Sequence, residues 1–173
     1  MSDEARLLAE IHAARALLRT DVPAPTAARP SHAALWAHAT RMPGRPVDLA
    51  VVRALRTDPD AARRYRTMLG ARALAHAPLA AAASDGTLVR RRVGPFDLEI
   101  LEGAEGAPPL LILRGEAARM PSLIEAWLDD TGVRLDLAPP VAGAIVLALD
   151  PAVPEAILLD RLLRDPASAV FLL

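Results

Sequence analysis

The chain is expected to be an α+β protein: an all-helical N-terminal module followed by a compact mixed module in the order β-β-β-α-β-β-α-β. Three observations point there. Residues 1–92 carry 15 Arg against 8 Asp and Glu, whereas residues 93–173 carry 5 against 13, about +7 and −8. The hydrophobic period changes from helical to alternating near Ser84-Asp85-Gly86. Helix-start chemistry at Ser31 and Asp58-Pro59 belongs to the first part. The modules divide at 1–83 and 84–173, with a Pro-rich linker over 21–30. Opposite fields can hold two such units together or steer each toward a different partner.

Taken in order, residues 3–20 place Leu7, Leu8, Ile11, Leu17 and Leu18 near one side of an amphipathic helix. Ser31 caps a short helix carrying Leu35 and Trp36. After the break at Pro43-Gly44-Arg45-Pro46, a third helix puts Leu49, Val52 and Leu55 on one face. Asp58 caps a fourth, with Pro59 at the first helical position and Asp60 complementing the positive helix end. That helix runs through Tyr65, Met68, Leu69 and Leu74 toward Pro78.

In the second module, Thr87–Val93 and Phe96–Glu102 read as strands joined at Gly94-Pro95, and Leu110–Leu113 as a buried strand. Alternation within the first of these sends Arg91 to the face opposite Arg90 and Arg92. Pro121 opens a helix with Leu123, Ile124, Trp127 and Leu128 inward, closed by Gly132. Asp129-Asp130 then sits at the helix C-terminal end, against the dipole. Val133, Leu135 and Leu137 alternate as a half-buried strand, and Ala144–Leu149 forms another. Their short separation predicts an antiparallel pair. A last helix between Asp150-Pro151 and Asp165 turns Ile157, Leu158, Leu162 and Leu163 inward, and Ala169–Leu173 closes as a strand.

Composition narrows the chemistry. The chain is 53% hydrophobic but only 3% aromatic, and every basic residue other than its four His is Arg. Without Lys there is no Schiff base or P-loop lysine, and without Asn or Gln no amide oxyanion donor. Without Cys there is no disulfide, thiolate or Cys-bound metal. No cofactor is expected. The longest apolar runs are too short to span a membrane and the start is not a signal peptide, so a soluble, cytoplasmic bacterial protein is expected. His12, His32, His38 and His76 lack metal-ligand spacing and read as solvated helix-surface side chains. The Arg clusters at Arg63-Arg64-Tyr65-Arg66 and Arg90-Arg91-Arg92 lack the aromatic interleaving of nucleic-acid binders and read as salt-bridged or partner-facing.

Leu35-Trp36-Ala37-His38 through Pro43-Gly44-Arg45, then Val51-Val52-Arg53-Ala54-Leu55, then Asp58-Pro59-Asp60-Ala61-Ala62-Arg63-Arg64-Tyr65, resemble the cytoplasmic helical domain of anti-sigma factors, in a zinc-less version. The resemblance covers residues 31–75. It implies a helical clasp that holds a sigma factor through Leu35, Trp36, Leu49, Val52, Leu55 and Tyr65, although these side chains would equally fill the module's own core. The expected function is a non-enzymatic protein-interaction module. The alternatives are a small-ligand or enzymatic α+β domain with a helical lid, drawing on Arg119, Asp129, Asp130 and Arg134, and a subunit of a larger assembly.

Overall fold

Among the described residues of the computed structural model, eight strands build two antiparallel four-stranded sheets and three helices cover one of them. The structure describes residues 29–42, 45–77, 89–104 and 106–173. The helix expected over 3–20, most of the linker over 21–30 and the boundary at Ser84–Gly86 lie outside these residues. The elements are α1 (His32–Ala39), α2 (Leu49–Thr57), α3 (Pro59–Arg72), β1 (Ala75–Ala77), β2 (Arg90–Val93), β3 (Phe96–Leu101), β4 (Leu110–Gly115), β5 (Leu123–Leu128), β6 (Thr131–Asp136), β7 (Ala144–Ala148), α4 (Pro154–Arg164) and β8 (Ala169–Leu172). One sheet runs β1-β8-β5-β6 and the other β2-β3-β4-β7. The chain is therefore α+β among the described residues.

The helix starts follow from capping. Ser31 Oγ accepts the Ala34 N–H at 3.1 Å. Asp48 accepts from Ala50 and Val51 at 2.9 and 3.3 Å, and Asp58 from Asp60 and Ala61 at 2.9 and 3.3 Å. Each carboxylate satisfies backbone donors that the first helical turn leaves free.

Four expectations are corrected. The segment after Pro121 is strand β5, not a helix, so the second module reads β-β-β-β-β-β-α-β among its described residues. Leu123, Ile124, Trp127 and Leu128 fit a helix face, but β5 is buried on both faces, and a continuous apolar run does not separate the two periods. Asp129-Asp130 is consequently a two-residue hairpin turn, with Asp129 in the left-handed region (φ 52°), and the dipole conflict disappears. α3 stops at Arg72, and Ala75–Ala77 is β1, so the first part is not all-helical. β6 and β7 do not pair: β6 pairs β5, β7 pairs β4, and the chain between them crosses from one sheet to the other. Smaller shifts follow on the helices. Val51 is buried in place of Leu49, and Leu159 in place of Ile157.

Strand alternation sorts the side chains into two cores. Ile124, Ala126, Val133, Val170 and Leu172 face the second sheet, where Phe96, Leu98, Leu111, Leu113 and Ile145 meet them. α4 closes this space with Leu159, Leu162 and Leu163. On the other face of the first sheet, Trp127, Ala169 and Phe171 pack against Leu35, Val51, Leu55, Tyr65 and Leu69 of the helices. The helical layer and the sheets thus share a core. Arg91 does face away from Arg90 and Arg92: it donates to Ser168 Oγ at 2.8 Å and to the Ser168 and Asp165 carbonyls.

Candidate functional site

A carboxylate lies at the seam between helices and sheet. Glu125 is 2% exposed on β5, and its neighbours on that face are set by register. It stands opposite Arg134 of β6, while Trp127 stands opposite Gly132. A Cβ on Gly132 would lie 2.5 Å from the Trp127 ring, so the glycine lets the indole lie flat across the hairpin.

Each Glu125 oxygen is engaged. Trp127 Nε1 donates to Oε1 at 2.9 Å and Tyr65 Oη to Oε2 at 3.2 Å, with Arg134 Nη1 3.7 Å from Oε2. Arg134 also reaches the end of α1, donating to His38 O at 3.0 Å and, from Nη2, to Arg41 O at 2.8 Å. One guanidinium therefore neutralises the carboxylate and ties α1 to the sheet. Arg66 sits 5.9 Å over the Trp127 ring and donates to the Asp129 carbonyl in the hairpin turn.

Burial pushes the Glu125 carboxyl above the usual carboxylate range, opposed by the Trp127 indole, Arg134, the Tyr65 hydroxyl and Arg41. Burial, and then the adjacent Glu125, hold the Tyr65 phenol well above its ordinary value. His38 moves the other way. Burial first, then Arg134 and Arg41, lower it to about 4, so the ring is neutral at neutral pH. Its ring lies 5.5 Å from Tyr65, and its Nδ1 is buried with no hydrogen-bond partner among the described residues. His38 is thus a seam residue, not the solvated side chain that its spacing suggested.

Beside this cluster a cleft of about 400 Å³ opens between α2 and α4. Its wall includes Val47, Val52, Leu55, Trp127 and Leu158, and its polar side chains are His38, Arg41, Arg56 and Arg134 with the acids Glu125 and Glu155.

The six side chains implied by the resemblance separate. Leu35, Leu55 and Tyr65 are buried in the helix–sheet core, with Leu55 also touching the cleft. Val52 is half-buried in the cleft wall, and Trp36 and Leu49 are exposed. Of the four residues considered for a ligand, Arg134 alone enters the site. Arg119, Asp129 and Asp130 are exposed. Glu125 was missed, yet a lone acid inside Leu123–Leu128 is a signal: a charge in a buried strand requires a partner.

Among the described residues no three His, Asp or Glu side chains gather as a metal site, and no helix is long and apolar enough to cross a membrane. No protein-family model, curated protein or solved structure matches the chain.

Proposed function

We propose that this chain is a non-enzymatic module that binds a protein partner through its helical layer, in the manner of an anti-sigma regulator. One observation carries the reading. Of the exposed large apolar side chains among the described residues, four fall from within α1 to the start of α2: Trp36 (46% exposed), Met42 (69%), Val47 (41%) and Leu49 (72%). Single exposed apolar residues are ordinary, but a concentration of them in one short stretch is the mark of a surface that becomes covered. The polar cluster supports a structural role for itself, because both Glu125 oxygens are already engaged.

The test is affinity capture from native lysate with the wild-type chain and with a Trp36→Ser/Leu49→Ser variant, the retained proteins identified by mass spectrometry. A partner held by the wild type and lost by the folded variant is expected. Identical retention by both, or no partner alongside turnover of a small molecule, overturns the reading. The cleft favours one second reading, a small ligand held beneath the helices, since its volume falls in the range of such sites. Native mass spectrometry of the purified chain tests that reading through a co-purified compound.

A further inference from the structure

Among the described residues β6 pairs with β5 alone and ends its sheet, and the register decides which of its backbone groups are unused. Leu123 exchanges hydrogen bonds with Leu173 on the β8 side, while the Leu137 N–H donates to Ser122 O at 2.8 Å on the β6 side. Antiparallel bonding alternates, so β5 bonds to β6 at Ile124–Leu135, Ala126–Val133 and Leu128–Thr131. Gly132 and Arg134 therefore turn their N–H and C=O groups outward, and both residues line the cleft.

The cleft is thus a strip of open sheet edge between two helical walls. Val52, Leu55 and Arg56 stand on the α2 side, Pro154, Glu155 and Leu158 on the α4 side, so the basic groups and the acid lie on opposite walls. Exposed edges are normally blunted with charge, proline or a covering loop, because they recruit further strands. This one is recessed instead. Walls on both sides admit a single extended segment rather than the edge of a second folded sheet. The glycine that Trp127 requires also leaves the backbone at Gly132 without a side chain to shield it.

We propose that the β6 edge accepts an extended segment of a protein partner as an added strand, with acidic side chains on its α2 side and apolar ones on its α4 side. The proposal rests on the reading of the chain as a partner-binding module. The committed chemistry comes from charge. Arg41 and Arg56 line the helical wall, and Arg56 makes no ion pair among the described residues. An added strand alternates its side chains between the two walls, so acids toward Arg41 and Arg56 put its other face on Pro154 and Leu158.

The experiment uses the full chain and a fluorescent peptide of about ten residues alternating Glu and Val. One control carries N-methyl groups on alternate amides, and another replaces Glu with Lys. Fluorescence anisotropy reads binding, and amide hydrogen exchange reads the site. The Glu/Val peptide is expected to bind about tenfold more tightly than either control and to slow exchange at Gly132 and Arg134. Arg56→Glu, an exposed change, is expected to reverse the preference between the Glu and Lys peptides. Three results overturn the proposal: no binding at millimolar peptide, binding that leaves exchange at Gly132 and Arg134 unchanged, or protection that grows with protein concentration alone, which means a second copy occupies the edge. A captured partner that survives Arg56→Glu and resists displacement by the peptide overturns the strand-addition site while leaving partner binding intact.

Discussion

Replacing Arg134 with Met removes the nearest cation to a carboxylate that water does not reach. Arg134 Nη1 is 3.7 Å from Glu125 Oε2, with side-chain exposures of 12% and 3%. The same substitution strips donors from the His38 and Arg41 carbonyls, at 3.0 and 2.8 Å, so α1 loses its tie to the sheet. Breaking one side of a buried pair costs about 3–5 kcal/mol, because the other charge is left uncompensated. Glu125→Gln removes that charge while keeping an acceptor for Trp127 or Tyr65, at a cost of about 1–2 kcal/mol. In the Glu125→Gln background, Arg134→Met forfeits only the carbonyl contacts, about 2 kcal/mol. The double variant is therefore expected to be more stable than the sum of the singles by about 1–3 kcal/mol. Urea unfolding at neutral pH, followed by far-UV circular dichroism and by tryptophan fluorescence, measures the cycle. Should Arg134→Met fail to fold alone while the double variant folds, that rescue by Glu125→Gln is itself the coupling. Additivity within about 0.5 kcal/mol would refute the coupling and, with it, the account of Glu125 as a charge held by Arg134.

Further outcomes follow from the same seam and the core behind it. Gly132→Ala drives a Cβ to 2.5 Å from the Trp127 ring and is expected to cost about 1–3 kcal/mol, visible as a lower urea midpoint and altered near-UV dichroism. His38 titrates at about 4 in the folded chain against its ordinary 6.5, so folding favours the neutral ring. The associated stability is complete above pH 6.5 and lost as pH falls toward 4. His38→Gln is expected to reduce the loss between neutral pH and about pH 5 by about 1 kcal/mol, a figure discounted for partial solvent screening. An unchanged acid limb would show that the ring is hydrated. Leu159→Ala opens a cavity between the sheets at a fully buried position and is expected to cost about 2–5 kcal/mol by urea unfolding.

Much of the architecture is written locally. Ser31 and Asp58 state where helices begin because a capping side chain reaches donors only two or three residues away. Arg91 states its own orientation because a strand has period two. β5 is opaque for the opposite reason: covered on one face by a sheet and on the other by helices, it carries no polar face to reveal its period. The site is hidden with it, since Glu125 and Arg134 become neighbours only through the hairpin turn at Asp129-Asp130. Trp36 and Leu49 match helical apolar spacing as well as Leu35 and Leu55 do, and nothing local separates the pair left in solvent from the pair buried by Phe171 and Trp127. The change of sheet between β6 and β7 has no local signature either, because pairing partners are chosen by the whole sandwich.

The position of β8 makes one sheet and the helical layer depend on a single short segment. It lies between β1 and β5, strands formed from much earlier parts of the chain, and bonds to both. Until β8 arrives, two strand edges of that sheet stand open and the helices lack Phe171, one of the side chains on which they rest. Partners so distant along the chain impose a high loop-closure cost on that pairing. Interruption of β8 is therefore expected to unseat the helical layer as well as the sheet.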